Sequence, residues 1–241
     1  MKTNRTTLIV IAAVLVIGAL ALAKPWNATT LPGEKANAAG AAADPAHSSP
    51  SPQTPAASGA AYEVVAAESE ALYRVREQLA GFSFPNDAVG RTQNVTGSVL
   101  FDSDGGIVAD SSRIVVNLAS LRSDQSMRDN YVSRNVLSTN QYPNATFVPT
   151  AVKGLPFPFP NAGEAEVTIQ GNMTIRNVTR PVEWTGTAQF HPDGLTVRGE
   201  TMFTFADFSL TKPRVARVLS VEDEIRVETK IRFRLAAESG E

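Results

Sequence analysis

Two histidines, two carboxylates that interrupt apolar faces, and one Arg-Asp pair are the side chains best placed to do chemistry in this chain. His47 lies among Pro, Ser and Ala, and His191 opens the turn "HPDG", where it reads as a solvated turn residue. No HExxH, phosphate-binding loop or nucleophile elbow occurs. The absence of cysteine removes disulfides, a thiol nucleophile, thiolate metal sites and a lipid-modified N-terminal Cys. A metal site would have to be assembled from scattered carboxylates around one domain histidine. No catalytic residue, metal or cofactor is expected, so the chain reads as a non-enzyme. Recognition is the chemistry left. Glu77 and Asp223 sit on otherwise apolar faces, where each either meets the polar head of a ligand or stands at a solvated rim. Arg128 and Asp129 sit in the one helical stretch, as head-group contacts or as a clamp of that helix onto the domain. A formal charge of −2 leaves no footprint for nucleic acid.

The elements that must position these residues have a period of two. "ALYRVREQL" (71–79), "VTGSVLFD" (95–102), "SRIVVNLASL" (112–121) and "ATFVPTAV" (145–152) read as four strands. "EAEVTIQGNMTI" (164–175), "RPVEWTGTAQF" (180–190), "GLTVRGETMFTF" (194–205) and "VEDEIRVETKIRFRL" (221–235) read as four more. Turn chemistry separates them at "DSDGG", "GLPFPFPNAG", "RNVTRP" and "HPDG". Only 123–137 breaks the pattern: Ser123 or Asp124 serves as N-cap, and Met127, Tyr131, Val132 and Val136 recur at helical spacing. Eight long strands joined mainly by short turns predict an all-β, eight-stranded antiparallel barrel with one helical insertion.

The dry face of such a barrel decides whether it is solid or hollow. It is expected to carry Tyr73, Val75, Ile114, Val116, Leu118 and Phe147 from the first half, with Ile169, Gly171 and Met173 from the fifth strand. The sixth strand adds Trp184, Gly186 and Ala188, the seventh Val197, Gly199 and Phe203, and the last Ile225, Val227, Ile231 and Phe233. Three successive strands each place a Gly near mid-face. Glycine relieves strain where a strand bends, and a missing side chain also leaves room for a guest; both readings stand. A cavity lined this way suits a long apolar molecule.

Ahead of the barrel, residues 1–23 combine Lys2 and Arg5 with an apolar run from Leu8 to Ala23. This is the pattern of a signal peptide. As a helix the run reaches about 24 Å, short of the ~30 Å hydrocarbon core; extended through Thr6 and Thr7, residues 6–23 make an uncleaved anchor. Export is expected on either reading, to the periplasm or the medium. Residues 24–61 are rich in Ala, Pro and Ser and read as a disordered linker spanning about 35 Å. The barrel domain is expected over 62–236, followed by a short tail, 237–241.

Several segments together resemble the YceI-like family of exported, lipocalin-like bacterial proteins. "MRDNYVSRNVLSTNQYPNATF" (127–147) resembles its Arg-Asp and Tyr-Pro-x-x-x-Phe segment, and "QGNMTIRNVTRPVEW" (170–184) its G-x-L-T-I-x-G-V-T-r-P-V segment. "GSVLFD" (97–102) and "FADFSL" (205–210) match two further stretches, so the likeness runs from about Leu72 to Leu235. The resemblance implies a barrel with an apolar tunnel that holds polyisoprenoid chains, quinone-type molecules included, for carriage rather than catalysis. The chain departs from the pattern where "VREQLAGFSFPNDAVGRTQNVTG" lacks the usual D-x-x-H-S, and where Asn177 replaces a glycine. The rival expectation is a structural or protein-interaction module of the cell envelope whose barrel is packed solid.

Overall fold

The computed structural model describes residues 59–237 except Phe82 and Arg217; the expected signal or anchor segment, nearly all of the linker, and the end of the tail lie outside the described residues. Among the described residues eleven antiparallel strands form one sheet closed on itself. They are β1 (Ala60–Val64), β2 (Glu70–Leu79), β3 (Asn86–Thr92), β4 (Val95–Phe101), β5 (Arg113–Asn117), β6 (Asn144–Lys153), β7 (Gly163–Ile175), β8 (Val178–His191), β9 (Gly194–Thr204), β10 (Val218–Val221) and β11 (Glu224–Leu235). Three pairs act as single bent staves: β1 with β2, β3 with β4, and β10 with β11. β1 and β2 both pair with β11, while their partners on the other side are β4 and β3. The result is an eight-staved, up-and-down barrel in which neighbours in sequence are neighbours in space.

Three stretches of strand lie outside the expected set: β1, β3 and all but the last residue of β10. β1 takes in Ala60 and Ala61, assigned above to the linker, and is separated from β2 by a short 3-10 turn, Ala66–Glu68. β3 occupies "NDAVGRT", a run whose Asn, Asp and Gly conceal the alternation. Its inward positions are nevertheless Ala88, Gly90 and Thr92, all buried. Gly90 is required there, since a Cβ would lie 2.3 Å from the ring of Tyr73 opposite.

The helical insertion is α1 (Ser126–Tyr131), continued by a turn of π-helix over Val132–Leu137. Neither Ser123 nor Asp124 is its N-cap: Gln125 holds that position without a side-chain bond. Val136 and Leu137 are buried against Met173, Ile175, Trp184 and Phe203, so the insertion covers one end of the barrel. The other end is shut by aromatic rings. Phe159, from the loop between β6 and β7, stacks on Tyr62, Phe101 and Phe190 at centroid distances of 4.9, 5.1 and 6.1 Å. Edge-to-face and tilted contacts of this kind add to the gain from burial.

Arg232 belongs to the wet face by alternation and yet is only 7% exposed. It reaches across the closed end to Asp193, in the β8–β9 turn, and to the carbonyls of Leu195 and Phe233, and lies 3.9 Å from Glu68. One guanidinium thus ties three segments together, which is how a buried charge becomes tolerable.

Candidate functional site

Inside the barrel is a cavity of about 1160 Å³. That is larger than the roughly 300–1,000 Å³ usual for small-molecule pockets, and the expectation of a solid core does not hold. Alternation along each strand sends every second side chain inward, so the wall is built from all eight staves. Tyr73, Val75, Ile114, Val116, Leu118, Phe147, Ile169, Met173, Trp184, Ala188, Val197, Gly199, Phe203, Ile225, Val227, Ile231 and Phe233 all line it, as do Glu77 and Arg128.

Four of the expected residues are not on the wall. A Cβ on Gly186 would lie 1.9 Å from the carbonyl oxygen of Arg198, so the position faces neighbouring backbone and serves curvature, not space. At Gly171 the room is already filled, with the Phe147 ring 2.5 Å from where a Cβ would stand. Asp129 turns back along its own helix, accepting from the backbone N–H of Ser123 at 2.8 Å and from its hydroxyl at 2.6 Å. Asp223 is an exposed corner residue paired with Lys212 at 3.3 Å. Of the three mid-face glycines only Gly199 opens onto the cavity; its Cβ would have nothing nearer than 3.6 Å.

The cavity has one mouth. Every exposed residue of its wall sits at the helix end: Ala80, Gln125, Met127, Asn130, Arg134, Asn135, Val215 and Ala216. Among the described residues, four of the seven large apolar ones that stand exposed are at this end too, namely Phe84, Met127, Val215 and Leu219. The segment around Val215 escaped the sequence because it has no regular period, whereas the π-helical turn falls inside the helix expected over 123–137.

Just inside the mouth is a compact polar cluster. Glu77, 8% exposed, accepts from Arg128 Nη2 at 2.7 Å and from Asn86 Nδ2 at 3.5 Å. Arg128 also donates through Nη1 to Asp124, one turn earlier, and to Ser123 Oγ at 3.4 Å. Burial pulls the Arg128 guanidinium down, but the charges and hydrogen bonds of Glu77 and Asp124 outweigh it and hold the group firmly charged. Tyr73 lies two inward positions deeper on β2. Burial pushes its phenol up to about 12, Arg128 draws it down, and the carboxylates of Asp129, Glu77 and Asp124 add to the rise. The hydroxyl is therefore a donor throughout the physiological range. Among the described residues there is no cluster of His, Asp and Glu able to hold a metal, and no helix long and apolar enough to cross a membrane.

The YceI-like domain family matches residues 43–233. The chain belongs to the YceI-like family. Its curated relatives in the family include Protein YceI of Shigella flexneri, 30% identical over 122 residues that make up 50% of this chain and 58% of that protein. A UPF0312 protein of Pseudomonas putida strain W619 is 37% identical over 94 residues, 36% of this chain and 45% of that one. The chain thus spans about 61% of the length of the first curated relatives it matches. Two solved structures share the fold. A polyisoprenoid binding domain from Saccharophagus degradans superposes with a TM-score of 0.58 at 13% identity, covering 73% of this chain and 98% of that one. Burkholderia cenocepacia BcnA superposes with a TM-score of 0.51 at 19% identity, covering 72% and 99%. The YceI-like fold of this chain is the lipocalin-like barrel that the resemblance implied.

Proposed function

We propose that this YceI-like barrel binds and carries a long-chain isoprenoid lipid, of polyisoprenoid or quinone type, outside the cytoplasm, and catalyses no reaction on it. The observation that carries this reading is the cavity itself: one apolar chamber of about 1160 Å³ running the length of the barrel, closed at one end and open at the other. Burying an alkyl chain there removes about 25 cal/mol per Å² of apolar surface from water, and the wall asks for no charge in return. The Saccharophagus domain described as polyisoprenoid binding supports the assignment. Extracytoplasmic placement rests on the basic and apolar character of residues 1–23, cleaved or kept as an anchor.

Native mass spectrometry of gently purified protein tests the reading, with bound mass matching an isoprenoid as the expected result. Delipidated protein gives an independent readout. Trp184 lines the cavity, and Trp26 is the only other tryptophan, so a Trp26→Phe chain reports on the chamber alone. Addition of a polyprenol should shift its emission. A chain that carries no lipid and shows no shift with polyprenols or quinones is not a carrier.

A further inference from the structure

The charges at the mouth say what kind of head the lipid can have. Among the described residues three charged ones line the cavity: Glu77, Arg128 and Arg134. Arg134 is exposed at the rim, where solvent screens it. Among the described residues Arg128 is the one cation of the wall behind the rim, and it is not free. Glu77 holds one of its nitrogens at 2.7 Å and Asp124 holds another. One guanidinium thus stands against two carboxylates, with Asp129 close by on the same helix. A phosphate head carrying about −1.5 to −2 charge would meet this cluster without an unpaired cation to receive it, and with Glu77 facing it in a desolvated setting where like charges repel most strongly.

Hydrogen bonding, by contrast, is available. The Tyr73 hydroxyl lines the cavity and donates to no described residue. A head oxygen, of an alcohol or of a quinone, can accept from the Tyr73 hydroxyl without any counter-charge.

Building on the lipid-carrier reading, we infer that the mouth selects isoprenoids with uncharged, hydrogen-bonding heads, alcohols or quinone-type rings, and rejects their phosphates, because Glu77 and Asp124 consume the charge of Arg128. The selection is electrostatic and belongs to the protein, not to the tail.

The test compares geranylgeraniol with geranylgeranyl phosphate on the full-length, delipidated Trp26→Phe chain, by Trp184 emission. This parent chain should prefer the alcohol by tenfold or more. Glu77→Gln releases half of the clamp on Arg128 and should collapse that ratio severalfold toward the phosphate. Asp124→Asn should move it the same way by less, and being an exposed position it serves if the Glu77 variant does not fold. Equal binding of the two lipids by the parent chain, or a ratio unmoved in the variants, overturns the inference while leaving the carrier reading in place. Failure of both lipids to bind overturns the carrier reading and the inference together.

Discussion

A single methyl group separates two glycines that look equivalent in the sequence. Gly186 and Gly199 face each other across β8 and β9, yet a Cβ on the first would collide with backbone at 1.9 Å and on the second would rest in ordinary contact at 3.6 to 3.8 Å. Gly186→Ala should therefore lower stability by about 1–3 kcal/mol, the usual cost of overpacking, whereas Gly199→Ala should fold with nearly unchanged stability. Urea unfolding of the two variants side by side decides it; equal losses would mean that the close approach at Gly186 relaxes freely. The same comparison explains why the sequence could not separate curvature from capacity. Both glycines occupy inward positions of alternating strands, and what distinguishes them is the height of the adjoining backbone, which no local pattern encodes.

The long staves were legible and the short ones were not. β7, β8, β9 and β11 each keep apolar alternation over eleven or more residues, so period two was readable and their register followed. β3 hides because its inward side is Ala88, Gly90 and Thr92, small residues chosen to accommodate Tyr73 and not to supply hydrophobicity. Most of the cavity wall was legible for the same reason that the strands were, since inward parity fixes it. The polar cluster was half legible: Glu77 stood out as a charge on an apolar face and Arg128 as half of an Arg-Asp pair, but their union across 51 residues is a product of the helix folding over the mouth. The closed end was read only as turn. In "GLPFPFPNAG" the rings were available, but nothing local says that Phe159 turns inward to Tyr62, Phe101 and Phe190. Phe159→Ala should cost roughly 2–4 kcal/mol, toward the lower part of the Phe→Ala range because the residue is only partly buried. It should also speed loss of bound lipid by opening a second exit. A lower denaturation midpoint together with an unchanged off-rate in a lipid-transfer assay would limit the plug to a stabilising role.

A barrel with this much internal space should gain stability from any guest that fills it. Wall atoms facing a void lose the contacts that a packed interior would give them, and a ligand that binds only the folded state stabilises it by RT ln(1 + [L]/Kd), about 2.7 kcal/mol at a hundredfold excess over Kd. Delipidated protein should melt several degrees below the loaded form, with the difference growing as polyprenol is added; a melting temperature indifferent to lipid would count against occupancy of the chamber. The two ends of the barrel domain bear on use as well. β1 begins and β11 finishes beside the aromatic plug, with Tyr62 opposite Leu235 in the ladder. Both ends of the domain therefore leave from its sealed pole. A support, a fluorescent fusion or a natural leash attached through either end pulls on the bottom of the cup, and the opening stays free to meet whatever fills or empties it.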